Sequence, residues 1–300
     1  MNFRQLACFV AVVDEGSFTR AARVIGIAQP SLSQHIRTLE EELNGRLIER
    51  LPRGIALTPA GRTLLPEARA AVRAVERGRR SVRASLALEA GELEIATVLS
   101  MAVGLLPRYI RLWHERYPDV GIRLQEFRHR SLLEEAVEQG VADFAIGPLP
   151  VRAWDGPLAV ISWEEFVIVV PPGDPLADRR SIRLEELADR EWVLYHQDHG
   201  LAGILEETCR QAGFSPRGSV RTSQAEGAAR LASAGLGPAL VPDNIVLPGI
   251  EGSVLRLTPR LIRNVAAYAR TEWSPTAAAF IGVLGSEQRP RPAGAVAIQL

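Results

Sequence analysis

Three hundred residues with 47% hydrophobic content exceed one ordinary domain and suit two or three packed units. The formal net charge of zero argues, taken whole, against a nucleic-acid binder, yet residues 1–89 carry 14 Arg against 9 acids, a net of +5 that residues 90–300 cancel. No run is long enough to cross a membrane, and Asp14-Glu15 cut short the apolar stretch at residues 6–13 where a signal peptide would need small residues. Two distant cysteines, Cys8 and Cys209, build neither a disulfide framework nor a metal knuckle, so the chain is expected in the cytoplasm. Every basic residue is Arg, which suits phosphate and guanine contacts but is equally the mark of a GC-rich genome.

A first helix is expected over residues 3–15, turning Phe9, Val10 and Val13 toward the core that Leu39 and Leu43 enter. Residues 18–25 form a second helix whose Ala21-Ala22 pair permits close approach, and Gly26 supplies the turn after it. Pro30 suits the opening of a third helix, in which Leu32, Ile36, Leu39 and Leu43 recur at helical spacing. The opposite face carries Gln29, Ser31, Ser33, Gln34 and Arg37, the short polar groups with which a recognition helix meets base edges in the major groove. Residues 47–57 read as a two-stranded wing turning at Pro52-Arg53-Gly54. Arg50 and Arg53 would lie beside the duplex there, the plainer alternative being solvated wing charge.

Thr58-Pro59 then caps a long helix running to about residue 88. Leu65, Ala68, Val72, Val75, Arg79, Val82 and Leu86 alternate spacings of three and four along it, a heptad seam that predicts pairing with a second copy. The alternative is a helix packed on its own domain. From residue 91 short apolar strands alternate with amphipathic helices, an α/β pattern predicting a largely parallel sheet. Strands are expected at residues 93–97, 120–127, 143–146, 166–170, 192–195 and 264–270, with another near Val220. Ser131 to Glu134 and Ser223 to Glu226 look like capping boxes, Ser274-Pro275 caps a last helix, and residues 287–300 read as a loosely held tail.

Ala21-Ala22, then Gln29-Pro30-Ser31-Leu32-Ser33, Leu39-Glu40 and Leu47-Ile48-Glu49-Arg50 together resemble the winged helix-turn-helix of LysR-type transcriptional regulators, and the likeness extends along the whole chain. Two positions depart from the family pattern: Ala28 stands where a capping Ser or Thr is common, and Ile48 where Phe is usual. The resemblance implies a DNA-binding domain at 1–58, a linker helix at 59–89 making an antiparallel dimer contact, and an effector-binding domain at 90–300. That last domain would have two lobes, like a periplasmic solute-binding protein: lobe one at 91–162 and 266–300, lobe two at 163–265. The partners implied are double-stranded promoter or operator DNA, a small-molecule effector, further copies forming a homodimer and homotetramer, and RNA polymerase.

Loops at the carboxyl ends of strands and helix N-termini form the crevice in open α/β sheets. They nominate Ser100 and Met101, Arg128 and His129, His199, and Thr222 and Ser223 as effector contacts, with Arg130 adding charge beside one of them. Helix ends favour anions, so a carboxylate is the expected class, against a neutral or aromatic molecule on apolar walls. Ser131 and Ser223 are equally explained as caps. His196, Asp198 and His199 lack a fourth metal ligand of recognisable spacing, and His114-Glu115 lacks the second His of a metalloprotease helix. No Gly-x-Ser-x-Gly occurs and Gly235-Leu-Gly237 is too short for a phosphate loop, so neither cofactor nor catalysis is expected. The competing readings are an enzyme or solute carrier on the two-lobed region and a redox switch using Cys8 and Cys209.

Overall fold

A computed structural model describes residues 1–51, 54–86, 91–285 and 290–298. Pro52 and Arg53 of the expected wing turn, the side chains of Arg50 and Leu86, and the long helix beyond residue 86 lie outside the described residues. The chain divides near residue 88 into two compact units, the second made of the chain beyond it, the turn 139–141 aside.

The first unit opens with α1 (Phe3–Glu15), α2 (Phe18–Ile25) and α3 (Gln29–Glu42). Each start has a local cause. Asn2 and Gln5 exchange side-chain and backbone hydrogen bonds at α1, Ser17 Oγ accepts from the Arg20 N–H at α2, and Pro30 occupies the first turn of α3. Gly16 and Gly26 end the first two helices in the left-handed region that a Cβ disfavours. Phe9, Val12, Ala21, Leu32, Ile36, Leu39 and Leu47 fill the core between them. Leu43 does not enter it. It caps α3, and Asn44 at φ 52° turns the chain away, leaving Leu43 43% exposed.

The wing pairs β1 (Ile48–Arg50) with β2 (Ile55–Leu57), antiparallel. Glu40 of α3 anchors it, its Oε1 accepting from the N–H groups of Leu47 at 2.8 Å and Ile48 at 3.2 Å. Thr58 caps α4 (Pro59–Leu86) by accepting from the Gly61 N–H at 3.0 Å, while its hydroxyl donates to the Arg46 carbonyl at 2.6 Å. The expected seam of α4 divides in two. Leu65, Ala68 and Val72 pack on the core of their own unit, whereas Val75 and Val82 are exposed and Arg79 bonds Glu76 at 3.1 Å with its guanidinium over the Phe3 ring.

The second unit begins with β3 (Gly91–Val98), α5 (Leu99–Gly104), α6 (Leu106–Arg116), β4 (Val120–Phe127), α7 (Arg130–Glu138) and β5 (Phe144–Pro148). These run as parallel β4-β3-β5 with the helices packed against them. The chain then crosses on β6 (Leu158–Val170) to β7 (Ser181–Ile182), β8 (Glu191–Tyr195), α8 (Gly200–Gln211), β9 (Arg217–Thr222), α9 (Ala225–Ser233) and β10 (Ala239–Pro242). It returns on β11 (Ser253–Tyr268) to α10 (Pro275–Gly285) and β12 (Val296–Ile298).

Two separate cores result. One gathers around Trp113, Phe144, Tyr268 and Phe280, the other around Phe166, Trp192, Tyr195 and Leu205. The largely parallel sheet is corrected. β5, β11, β6 and β10 pair antiparallel because the chain crosses between lobes on two long strands that lie against each other, with register shifts near Arg256/Leu261 and Val265/Ala266. The sequence pattern marks only the most apolar segments of these strands. Residues 296–298 are not a loose tail but pair parallel with Leu261–Arg263 of β11, and Ile298 packs on the second core. Neither internal capping box forms: His129 rather than Ser131 caps α7, and Gln224 precedes α9 without a side-chain cap. Ser274 does cap α10, accepting from the Ala277 N–H at 3.1 Å.

Gly61 gives a direct test of how the wing is seated. A Cβ there would lie 2.1 Å from the Leu47 carbonyl and 2.9 Å from Leu57 Cδ2, whereas one at Gly78 of the same helix meets nothing. We expect Gly61→Ala to destabilise the first unit by about 1–3 kcal/mol by overpacking. Gly78→Ala should stabilise it by about 0.5–1 kcal/mol through helix propensity. Thermal melts of the two variants decide it, and a harmless Gly61→Ala would show that the wing is not clamped at this point.

Candidate functional site

On the first unit the buried stripe Leu32, Ile36 and Leu39 turns the other side of α3 outward. Pro30, Ser31, Gln34 and Arg37 are exposed there, and Gln29 and Ser33 are half-buried. Gln29 Nε2 donates to Ser33 Oγ at 2.9 Å and Gln34 Nε2 to Thr38 Oγ1 at 3.4 Å, so the amides are held upright from a convex helix face. Ala28 makes no side-chain cap. Such a face offers paired donors and acceptors to a groove rather than a pocket to a small molecule.

In the second unit a cavity of about 180 Å³ lies between the lobes. Ser100 at the start of α5, Arg128 and His129 after β4, and Pro148 at the end of β5 line it from the first lobe. His199, Gly200 and Ile204 at the start of α8 line it from the second, and Arg263 from crossing strand β11. Ser100 is 6% exposed and its hydroxyl has no hydrogen-bond partner among the described residues. Where the lobes meet, the Gly200 N–H donates to the Arg128 carbonyl at 3.0 Å and the Arg128 guanidinium stands 3.5 Å from Asp198.

The starts of α7 and α8 at this cavity are both capped by histidine. His129 Nδ1 accepts from the Ser131 N–H at 3.2 Å, and His199 Nδ1 from the Leu201 N–H at 3.1 Å. His199 is buried and stacks on Tyr195 with ring centroids 4.9 Å apart. Burial pushes its pKa down to about 4, with Asp198 opposing and Arg263, His129 and Arg128 adding to the effect. The imidazole is therefore neutral, as a cap that accepts from an N–H must be. Each nearby guanidinium already has a carboxylate. Arg128 pairs with Asp198, Arg130 with Glu134 at 3.4 Å, and Arg263 with Glu164, Arg263 Nε lying 2.6 Å from Oε1. Burial also lowers the pKa of Arg130.

Of the residues nominated from sequence, Ser100, Arg128, His129 and His199 come together here. Met101 does not: it is fully buried in the first core, one helical position past the cavity. Thr222 and Ser223 lie at the end of β9 and do not line the cavity, Thr222 Oγ1 being taken by the Gln224 N–H at 3.3 Å. Arg263 was missed, since nothing in an apolar strand pattern marks one Arg as facing inward. Among the described residues no three His, Cys, Asp or Glu side chains gather as metal ligands would, and no helix is long and apolar enough to cross a membrane. Cys8 and Cys209 are both fully buried in cores of different units, and burial raises both thiols, Cys209 to about 12, the opposite of a reactive thiolate.

Comparison with known proteins supplies the lineage. Residues 3–62 match the family model of the bacterial regulatory helix-turn-helix protein, lysR family, and residues 87–289 that of the LysR substrate binding domain. The chain belongs to the LysR family. Relatives include the transcriptional dual regulator GltC of Bacillus subtilis, 31% identical over 81% of both chains. BudR of Raoultella terrigena is 31% identical over 94% of this chain and 99% of its own. Among solved structures, full-length BenM is 27% identical at a TM-score of 0.56, covering 95% of each chain. CbnR, at 22% identity and a TM-score of 0.72 over 95% of this chain and 98% of its own, shares the fold. As a LysR-type protein the chain is a DNA-binding transcriptional regulator with an effector-binding domain.

The neutral His199 cap of this LysR-family regulator carries a pH signature. Its folded pKa lies below the ordinary value of 6.5, so the unfolded chain takes up the proton first, and stability is lost as pH falls from about 6.5 toward 4. The loss from this group is about 3 kcal/mol when complete. His199→Asn keeps an acceptor at the same reach but cannot be protonated, and should melt with a flatter pH dependence between pH 7 and 5. Equal slopes for both proteins would mean that His199 is not held neutral.

Proposed function

We propose that this regulator reads operator DNA with α3 and the wing, and that a small anionic metabolite, most simply a carboxylate, occupies the inter-lobe cavity and sets its activity. Gln29, Ser31, Ser33 and Gln34 are assigned to base edges. Arg37 is assigned to phosphate, as are Arg50 and Arg53, with Pro30 shaping the entry of α3. The observation that carries the DNA part is the outward polar face of α3 over a buried Leu32-Ile36-Leu39 stripe. For the effector it is the Ser100 hydroxyl, without a partner among the described residues and on a residue only 6% exposed, beside Arg128, His129 and Arg263.

We assign the functional division to a DNA-binding domain over 1–58, a linker helix over 59–89 and an effector-binding domain over 90–300, with lobe one at 91–162 and 266–300 and lobe two at 163–265. Exposed Val75 and Val82 on α4 support pairing through the linker helix, with two such pairs forming a homotetramer. The protein works in the cytoplasm on promoter DNA, where RNA polymerase is a further partner.

Quantitative gel shifts test the DNA assignment. Ser33→Ala or Gln34→Ala should change the ratio of operator to scrambled-duplex affinity, each good contact being worth about 1–3 kcal/mol. Arg37→Ala should instead weaken binding to both duplexes and flatten the salt dependence. Unchanged specificity in both amide and hydroxyl variants would remove α3 as the reader.

A further inference from the structure

The geometry points to Arg263 as the residue that recognises the acid group of the effector, and to Glu164 as the positioning residue that sets how strongly it does so. This rests on the reading of the inter-lobe cavity as the effector site. Arg263 is 5% exposed yet lines that cavity, and it stands on β11, one of the two strands that cross between the lobes. Glu164, 2% exposed, faces it from β6, the other crossing strand. The guanidinium turns one edge to Glu164: Nε and Nη2 both bond Oε1. Its centre lies 5.4 Å from the Phe166 ring centroid. Nη1 has no hydrogen-bond partner among the described residues. A buried Arg presented in this way offers Nη1 as a charge-assisted donor to one oxygen of a carboxylate.

The other cavity cations serve less well. Arg128 is 64% exposed at the mouth, His199 is neutral, and Arg130 is shared between Glu134 and the Leu149 carbonyl. Each guanidinium already faces one carboxylate, so a second acid group on the ligand would find no further buried guanidinium among the described residues to seat it. Its volume of about 180 Å³ is below that of a drug-sized site. The ligand class is therefore a small monocarboxylic acid, seated on Arg263 Nη1 and the Ser100 hydroxyl.

The same pair ties recognition to the lobes. Glu164 Oε2 accepts from Asn244 Nδ2 at 3.0 Å, and Asn244 abuts Gly104, the last residue of the helix that begins beside Ser100. A ring therefore runs from the cavity through Arg263, Glu164, Asn244 and α5 back to the cavity. An acid that draws the guanidinium toward itself weakens its hold on Glu164, and so biases the two crossing strands on which the lobes hinge.

The test is calorimetry on the full-length protein with formate, acetate, propionate and benzoate against their amides. Wild-type protein should bind at least one acid more tightly than its amide. Glu164→Gln keeps an oxygen for Arg263, and a turn of the Asn244 amide lets its unpartnered Oδ1 receive the new N–H, so this variant should fold. Removal of the opposing charge should tighten acid binding about tenfold and leave the amide unchanged, a gain that a merely structural Glu164 would not produce. Arg263→Gln should abolish the preference for acid. Unchanged or weaker acid binding in Glu164→Gln overturns the proposal, as does equal binding of acids and amides, which would leave the cavity as the effector site but remove its preference for an anion. No binding by either class overturns both.

Discussion

The second unit depends on one buried ionic contact, Glu164 with Arg263, placed where β6 and β11 cross between the lobes. Two charges so deeply buried are tolerable only when paired and further hydrogen-bonded, and the Asn244 amide completes the carboxylate side. Next to it Glu165 is likewise buried and held by Arg260, with its own N–H donating to Asp243 Oδ1 at 3.3 Å. Hydrophobic strands would have fused the two lobes into one core. Placing a polar ladder at the crossing instead keeps two cores and leaves a cavity between them.

The DNA-reading unit solves a different problem, which is to hold a short polar helix face outward with little mass behind it. Its answer is again one carboxylate: Glu40 sits on α3 and captures the two N–H groups that open the wing, tying the wing to the reader helix. Gly61 then lets the wing's carbonyl approach the long helix more closely than any side chain would allow. The Glu40 carboxylate thus satisfies backbone N–H groups that would otherwise lack a partner at the start of the wing.

Much of this was legible in the sequence where a pattern is local. The bounds of α1 and α2, the Gly26 turn, the Thr58 and Ser274 caps and the strand at 120–127 follow from capping chemistry and period alone. What was not legible depends on distant partners. Leu43 fits the helical stripe but falls one residue past the end of α3, so periodicity assigned it to a core it cannot reach. The long crossing strands hide because Glu164, Glu165, Arg260 and Arg263 break their apolar pattern, and these are the residues that pair across them. His129 and His199 act as caps through Nδ1, a use of histidine that propensity does not favour, and so the box at Ser131 looked better than it is, while α9 opens after Gln224 with no side-chain cap in place of the box at Ser223.

The claim that the crossing between the lobes depends on an ionic contact is tested most directly by a double-mutant cycle on Glu164 and Arg263, read from chemical denaturation of Glu164→Gln, Arg263→Gln and the double variant. A directly bonded buried pair should be strongly non-additive: the double variant should be more stable than the sum of the single losses predicts, by about 1–3 kcal/mol. Additive losses, within about 0.5 kcal/mol, would mean that the two residues do not act on each other and would contradict this account of the crossing.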